Sequence, residues 1–366
     1  MSRIRVAIVA NNLEINGISS VIMNYCRYIN KEQFQITIIV GGPVAQAYEN
    51  ECIENNIKIV KLDPRKQNPI KYYIGFAKII KKNVFDIIHL HGSQASISLE
   101  LTIALCKGIL VRIAHSHNTT CKHKFIHYLL RPLLNLVCTE QYACSKEAGE
   151  WLFGKRYFEV IPNGFDTKRF IFNNENRTCY RKKMSIEDKF VIGHIGRINY
   201  QKNQEYLLKV FEELLPICEN AVLILVGTGP MLGKIQNLID HSPVKDRIIL
   251  YGETNQPEVL YSVMDCFVFP SRYEGFPVTL LEAQMSGLNC IISDKITKDV
   301  IYNTNVYFAS IEDHPRKWAD LILDMKDVNR SYDINNELIN SFDVNSCVGV
   351  LESRYYNCMN KIEDKI

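Results

Sequence analysis

Two glutamates, Glu274 and Glu282, are separated by seven residues, and carboxylates at this spacing can hold hydroxyl groups of a sugar. The apolar run Cys266–Phe269 ahead of them predicts a buried strand. The residues Val278–Met285 show helical spacing, with Pro277 at the first position of the helix. We therefore expect Glu274 on a loop between a strand and a helix, and Glu282 about two turns into that helix.

The start of this helix is a candidate anion site. Its first N–H groups have no partner inside the helix, and the helix dipole adds positive charge, which suits a diphosphate. Gly275 lets the backbone approach a ligand closely. One acid can then reach sugar hydroxyls and the other the paired hydroxyls of a ribose. The alternative is a surface loop and helix with two solvated acids.

Two cations follow the strand predicted at Phe190–Ile195. Arg197 and Lys202 are five residues apart across a turn, so both charged groups can converge on one anion. Two unrelated surface cations are the alternative. The chain has no Asp-x-Asp triplet and no Cys-x-x-Cys pair, so we expect no metal site and no cofactor. Protein cations and a helix end would then balance the charge of a leaving diphosphate.

Histidines close two of the predicted strands. His117 ends the run Ile113–Asn118, at the carboxyl end of a strand, where open α/β sheets bind ligands. His115 would share a face with it on a regular strand. For His117 alone to enter the site, the strand must end between them, which leaves His115 a structural role. His89 and His91 end the preceding strand in the same way and are candidates for contact with an acceptor.

Short Val/Ile-rich runs alternate with longer helical patterns and restart after Lys189, which predicts two doubly wound parallel sheets of the α/β class. The polar segment 173–189 is the expected linker. The predicted domains are residues 1–172 and 190–347, with ligand binding in the cleft between them. Strands are predicted at 3–10, 35–40, 57–62, 85–89, 111–114, 141–144, 158–161, 190–195, 221–226, 247–250, 266–269 and 289–293.

The segment Ser271-Arg-Tyr-Glu-Gly-Phe-Pro277, together with Glu282, resembles the Glu-x7-Glu signature of retaining, nucleotide-sugar-dependent glycosyltransferases. These are enzymes of the GT-B fold in family 4, which includes capsule and exopolysaccharide enzymes. The resemblance implies two Rossmann-like domains facing a cleft. It also implies that a final helix, at about 348–366, crosses back to the N-terminal acceptor domain, while the C-terminal domain binds the nucleotide sugar.

The resemblance also implies roles for individual residues. Arg197 and Lys202 would hold the donor diphosphate as it leaves, Glu274 would orient the sugar, and Glu282 would bind the ribose. His117 would reach the donor sugar. The other implied donor contacts are Asn16, Gly17, Thr254, Gly275, Phe276, Thr279 and Leu280. For Asn16 and Gly17, taken alone, a plain turn between strand and helix is an equal alternative, because G-x-G-x-x-G is absent there.

Charge is unevenly distributed along the chain. Residues 1–170 hold 22 Lys and Arg against 13 Asp and Glu, although the net charge of the whole chain is only +3. Basic and apolar residues interleave in Lys122–Leu136 and in Pro69–Lys82. Such a segment is commonly a helix with its apolar face in the core. Alternatively, it is a surface that binds anionic membrane, which an enzyme with a lipid-linked acceptor would need. Nucleic acid is not an expected partner.

The expected activity is transfer of a hexose or N-acetylhexosamine from a UDP-sugar to a lipid-linked saccharide. UDP is expected from its frequency in the family. The protein is expected to be cytoplasmic, because no charge-free apolar run reaches about 18 residues. The basic first half with its amphipathic segments adds the expectation of a peripheral position on the inner face of the cell membrane. Two alternatives stay open: a non-hydrolysing sugar-nucleotide epimerase of the same architecture, and a binding protein without turnover.

Overall fold

The computed structural model describes residues 3–14, 17–333 and 335–363, which form two compact units. Unit 1 consists of the described residues up to Phe165 together with those from Ser341 onward. Unit 2 runs from Asp166 to Asn340. Each unit is a parallel sheet flanked by helices, so the predicted pair of Rossmann-like α/β domains is confirmed.

The sheet of unit 1 has seven strands in the order β3-β2-β1-β4-β5-β6-β7, and that of unit 2 has six in the order β10-β9-β8-β11-β12-β13. The strand order reverses between β1 and β4 in the first sheet and between β8 and β11 in the second. The strands are β1 (Ile4–Ala10), β2 (Phe34–Val40), β3 (Lys58–Lys61), β4 (Ile87–His91), β5 (Val111–Ser116), β6 (Glu140–Ala143), β7 (Glu159–Val160), β8 (Phe190–Ile195), β9 (Ala221–Val226), β10 (Ile248–Gly252), β11 (Cys266–Phe269), β12 (Asn289–Ser293) and β13 (Val306–Ala309).

Helices cover both sheets, as parallel strands with two buried faces require. The helices are α1 (Gly17–Tyr28), α2 (Gln46–Glu54), α3 (Pro69–Lys82), α4 (Ser98–Cys106), α5 (Lys124–Val137), α6 (Lys146–Phe153), α7 (Asn174–Met184), α8 (Gln204–Leu214), α9 (Leu232–His241), α10 (Pro257–Val263), α11 (Val278–Met285), α12 (Pro315–Asp324), α13 (Asn336–Phe342) and α14 (Val344–Glu363). Within the described ranges, no helix is both long and apolar enough to span a bilayer.

The last helix belongs to unit 1. Helix α14 packs against α1, and the ring of its residue Tyr355 lies 5.7 Å from that of Phe34 at the start of β2. Tyr355 is fully buried there. The C-terminal end of the chain therefore completes the core of the N-terminal unit.

The segment 173–189 contains a helix, α7, and lies in unit 2. The side chain of Asn173 caps this helix by accepting a hydrogen bond from the N–H of Asn176 at 2.9 Å. Arg177 and Arg181 then bind the carboxylate of Asp265, and three of the last carbonyls around α10 accept hydrogen bonds from Arg177. The polar composition that suggested a linker is the composition of a helix held by ion pairs.

Glycines bring the loops of unit 2 close together. Gly227, directly after β9, has a φ of +131°, and a Cβ there would lie 2.2 Å from the carbonyl oxygen of Gly196 after β8. A side chain at 227 is thus excluded both by the backbone conformation and by space. The loop that carries Arg197 and Lys202 depends on this close approach.

We predict that Gly227→Ala lowers the free energy of unfolding by about 1–3 kcal/mol, because the new methyl group must push the two loops apart. Gly233→Ala in α9 is the matched control, since no atom lies within 4 Å of a Cβ there. Urea unfolding should show the control unchanged or stabilised by up to about 1 kcal/mol. Equal midpoints for the two variants would contradict this account of the loops.

Candidate functional site

Two loops of unit 2 meet at the carboxyl edge of its sheet. One follows β8 and the other follows β11, and these neighbouring strands lie where the strand order reverses, the usual ligand position in open α/β sheets. The N–H of Arg272 donates to the carbonyl of Gln201 at 2.8 Å, which joins the two loops through their backbones. Sheet topology therefore brings together charged residues that are some 70 positions apart in the chain.

The central contact is an ion pair between Lys202 and Glu274. The Nζ atom of Lys202 lies 2.8 Å from Oε1 of Glu274, and the two side chains are only 14% and 7% exposed. The same ammonium lies 4.4 Å from the centre of the Phe269 ring. With so little solvent around it, each charge needs its partner.

Contacts with Gly196 and Asn199 fix the position of Lys202. A Cβ on Gly196 would lie 3.2 Å from Cε of Lys202, so the absence of a side chain there gives the lysine room. Its backbone N–H donates to the side chain of Asn199 at 3.0 Å, which closes the turn. Lys202, on the loop after β8, thus directs its ammonium at Glu274 on the loop after β11.

Gln201 holds the other oxygen of the glutamate. Its amide Nε2 donates to Oε2 of Glu274 at 3.1 Å and to the carbonyl of Tyr273 at 3.0 Å. Both carboxylate oxygens of Glu274 are therefore engaged. Sequence reasoning missed Gln201, since a glutamine beside a lysine has no distinguishing pattern.

A second layer supports this loop. His194 on β8 donates from Nδ1 to the carbonyl of Val268 at 2.9 Å, and its Nε2 accepts from Gln204 at 3.2 Å. Burial lowers the pKa of His194 to about 4, so the ring is neutral, as this bonding requires. Asn203 adopts a left-handed conformation with φ of +57° and donates to the carbonyl of Pro270 at 3.2 Å.

Glu282 lies on α11 and is paired with a tyrosine. The hydroxyl of Tyr261 lies 2.8 Å from Oε2 of Glu282 and 3.0 Å from the carbonyl of Thr279. Burial raises the pKa of Glu282 to about 7, although the Tyr261 hydrogen bond opposes the shift. The carboxyl group therefore changes charge near neutral pH. Tyr261, which the sequence did not single out, orients it.

The start of α11 lies beside these acids. The helix has the predicted bounds, but Pro277 caps it instead of occupying its first position. Gly275 and Leu280 are buried, whereas Phe276 is half-buried. The hydroxyl of Thr279 is buried and has no hydrogen-bond partner among the described residues. In the same first turn, the N–H groups of Val278 and Leu280 already donate to the carbonyls of Phe276 and Pro277.

The remaining predicted donor contacts are more dispersed. Arg197 is exposed on the loop after β8, and its carbonyl accepts from Gln204 at 3.1 Å. The hydroxyl of Thr254 accepts from the N–H of Gln256, which closes a local turn. In unit 1, Gly17 is exposed at the start of α1, and Asn16 lies outside the described residues.

His117 lies in unit 1 with both ring nitrogens engaged. Its Nδ1 is 3.1 Å from Oδ1 of Asn163, and its Nε2 is 2.7 Å from Nδ1 of His91. It follows β5 directly, yet its ring stacks on that of His115 at 4.3 Å. Both histidines therefore lie on one side of the sheet, although β5 ends at Ser116, between them.

Comparisons with known proteins give one consistent result. Residues 176–331 match the model described as Glycosyl transferases group 1, and residues 15–169 match Glycosyltransferase Family 4. EpsF of Bacillus subtilis (strain 168), which is named as a glycosyltransferase, is 31% identical over 88% of this chain and 87% of its own length.

Two further similarities extend over most of the chain. The UDP-Gal:alpha-D-GlcNAc-diphosphoundecaprenol alpha-1,3-galactosyltransferase of Escherichia coli is 26% identical over 80% of each chain. The crystal structure of Anabaena HepE in complex with UDP and glucose has a TM-score of 0.82 and covers 97% of this chain and 100% of its own. At 14% sequence identity that likeness shows the fold, which is GT-B.

We predict that Lys202→Met and Glu274→Gln each lower the free energy of unfolding by about 3 kcal/mol, because each leaves a buried charge without its partner. The double variant should lose clearly less stability than the sum of the two single losses. Urea unfolding of wild type, the two single variants and the double variant measures this coupling. The exposed pair Lys234 and Glu205, also 2.8 Å apart, is the matched control. Its coupling should stay below about 1 kcal/mol. Equal coupling in the two pairs would refute the assignment of a buried pair.

Proposed function

The chain belongs to the glycosyltransferases of group 1 and family 4, and from that premise we propose a retaining transfer reaction from a UDP-sugar. The sugar is a hexose or an N-acetylhexosamine. The acceptor is a lipid-linked saccharide, and the product enters a capsular or other extracellular polysaccharide. The observation that supports the proposal is the Lys202–Glu274 ion pair at the carboxyl edge of β8 and β11.

Lys202 can serve the donor without leaving Glu274. An ammonium has three N–H donors, and the contact with Glu274 takes one of them. The others are available to oxygens of the diphosphate, whose remaining charge Arg197 and the start of α11 would balance. The negative charge that develops on the leaving phosphate is then stabilised where the pair already holds a cation.

Glu274 would orient the sugar through a hydroxyl, since each carboxylate oxygen can accept a second hydrogen bond. Glu282 would bind the ribose hydroxyls with its orientation set by Tyr261. The leaving phosphate would take the proton of the acceptor hydroxyl as the new bond forms on the same face of the sugar. No carboxylate of this chain has to act as a covalent nucleophile.

Similarity supports the choice of donor and acceptor. The Escherichia coli relative is named for transfer from UDP-Gal to a saccharide carried on diphosphoundecaprenol, and HepE was solved with UDP and glucose. We carry both features over to this protein as proposals. His117, with both nitrogens bonded to Asn163 and His91, would act on the donor only after one of these bonds opens.

We propose that anionic membrane binds the outer face of α5. Its inner side places His127, Leu134 and Val137 in the core, as an amphipathic helix would. Its outer side, however, leaves Phe125 80% exposed and Leu136 78% exposed. Large exposed apolar side chains beside lysines are typical of helices that lie in a bilayer interface.

The transfer proposal predicts that UDP-hexose or UDP-N-acetylhexosamine is consumed only when a lipid-diphosphate-linked sugar is present. Lys202→Ala and Glu274→Ala should each reduce the rate by about 100-fold, because each removes charge stabilisation at the reacting centre. Lys234→Ala, at an exposed pair, is the control. Product chromatography and NMR of the anomeric carbon measure rate and stereochemistry. Isomerised donor in the absence of acceptor would indicate an epimerase, and binding without turnover would refute catalysis.

The membrane proposal predicts that the protein floats with vesicles containing phosphatidylglycerol and less with vesicles of phosphatidylcholine alone. The triple variant Phe125→Ser, Leu129→Ser, Leu136→Ser should lose most of this binding, since each buried apolar side chain contributes about 1.5–3 kcal/mol. Ile53→Ser with Val350→Ser, also at exposed apolar positions, is the matched control. Flotation of the triple variant equal to wild type, or none by wild type at low salt, would refute it.

A further inference from the structure

Four buried histidines lie together on one face of the unit 1 sheet. His89 and His91 come from β4, His115 from β5, and His117 follows β5 directly. Strand pairing places His91 opposite His115. We call these four residues the histidine array. Each is at most 6% exposed, so the array is closed to solvent.

Hydrogen bonds divide the array into two arms. In the first, the Tyr355 hydroxyl contacts Nδ1 of His89 at 2.7 Å, and Nε2 of His89 lies 3.1 Å from Nδ1 of His115. In the second, Asn163 contacts His117, which in turn contacts Nδ1 of His91. Each arm ends on an imidazole nitrogen.

Those two end nitrogens are the unusual feature. Nε2 of His91 and Nε2 of His115 are both buried, and neither has a hydrogen-bond partner among the described residues. A buried polar atom without a partner costs about 1–3 kcal/mol, so it calls for a physical reason. The hydroxyl of Tyr25 is also buried without a hydrogen-bond partner among the described residues, and the ring of Tyr25 lies 6.3 Å from that of His91.

We propose that His89, His91 and His115 form a binding site for a transition-metal ion of the Zn²⁺ class. One nitrogen from each ring can be chosen so that the three lie within 4.8 Å of one another. From the sequence we expected no metal site, because the ligands form two His-x-His pairs on separate strands and not a compact ligand motif.

The distances suit such an ion. Ligand nitrogens about 2.05 Å from a tetrahedral zinc are about 3.4 Å apart. Nε2 of His89 and Nδ1 of His115 are already 3.1 Å apart. This distance is compatible with a hydrogen bond between the two nitrogens and, after a small shift, with binding of one cation by both. Small shifts of three rings convert the array into a site.

Proton placement is consistent with this conversion if His115 binds through Nδ1, the nitrogen that faces His89, and carries its proton on Nε2. The ion then takes up the unpartnered Nε2 of His91, whereas Nε2 of His115 stays without a partner among the described residues. If His89 carries its proton on Nδ1, it donates to the Tyr355 hydroxyl and leaves Nε2 free to bind the ion. If His91 carries its proton on Nδ1, it donates to His117 and leaves Nε2 free. The Tyr355 hydroxyl and His117 then orient the ligand rings from behind, as such partners do in known metal sites.

The donor set selects the class of ion. All three ligands are imidazole nitrogens of buried histidines. Imidazole suits Zn²⁺, Co²⁺, Ni²⁺ and copper, whereas Mg²⁺ and Ca²⁺ require oxygen ligands. Bound metal would join the carboxyl ends of β4 and β5 and stabilise unit 1.

The test is titration of the full-length, untagged protein with Co²⁺ after EDTA treatment and desalting. The exposed thiols of Cys106 and Cys179 are alkylated first so that they do not compete for the ion. We expect one Co²⁺ per chain, with the intense visible bands of a low-coordinate nitrogen site. Zn²⁺ should abolish these bands and raise the melting temperature.

Variants assign the ligands. His91→Asn and His115→Asn should lose the bands, and Tyr355→Phe, a milder change, should weaken Co²⁺ binding by about 10-fold. His241→Asn, at an exposed histidine, is the matched control. Absence of the bands in wild type refutes the site, as does Tyr355→Phe binding like the control. If the histidine variants fail to fold, Co²⁺ binding by wild type, by Tyr355→Phe and by the His241→Asn control still tests the site. Glycosyl transfer is not measured, so this result is independent of the proposed activity.

Discussion

A lysine and a glutamate with little solvent around them determine the geometry of the unit 2 ligand edge. Because neither charge can be left alone in that environment, the loops after β8 and β11 must hold one fixed separation. The backbone bond from Arg272 to Gln201 maintains that separation, and the close approach of Gly227 to Gly196 places the loop after β9 against the loop after β8. A ligand that brings negative charge then meets a cation already in place, with little rearrangement of the protein.

The two units differ in the charge of the side chains described above. Unit 2 presents paired charges and an acid, Glu282, that titrates near neutrality. Unit 1 has neutral imidazoles buried on its sheet and, on α5, exposed apolar side chains near lysines. This division fits a polar, anionic donor on one unit and an acceptor with a lipid part on the other. A buried cation in the histidine array would stiffen unit 1 without altering the ion pair of unit 2.

The fold was largely predictable from the sequence because its strands are buried on both faces. Strand β11 and helix α11 have the predicted bounds, Cys266–Phe269 and Val278–Met285. Pro270 marks the end of the apolar run and Pro277 the start of the helical pattern, so both boundaries are defined by the sequence. Helix α7 was not predictable in this way, because charged contacts to Asp265, and not an apolar stripe, hold it. Strand β13 was also missed, as its half-buried residues give a weak signal.

The site was predictable by residue type but not by contact. A Glu-x7-Glu pair and a lysine after a neighbouring strand indicated the loops, yet their pairing at 2.8 Å follows from strand order, which only the fold supplies. Gln201 and Tyr261 have common side chains in unremarkable positions, so their roles arise from packing alone. The same holds for the array, whose two histidine pairs meet only because β4 and β5 are neighbours.

Unit 2 is continuous in the chain, whereas unit 1 is closed by its last helix. During synthesis from the N-terminus, unit 2 is therefore complete before α14 has been made, and until then Phe34 and His89 lack the cover of Tyr355. Premature termination after Asn340 but before α14 would release a chain with a complete unit 2 and an open core in unit 1. Quality control by chaperones and proteases would act on that exposed core first.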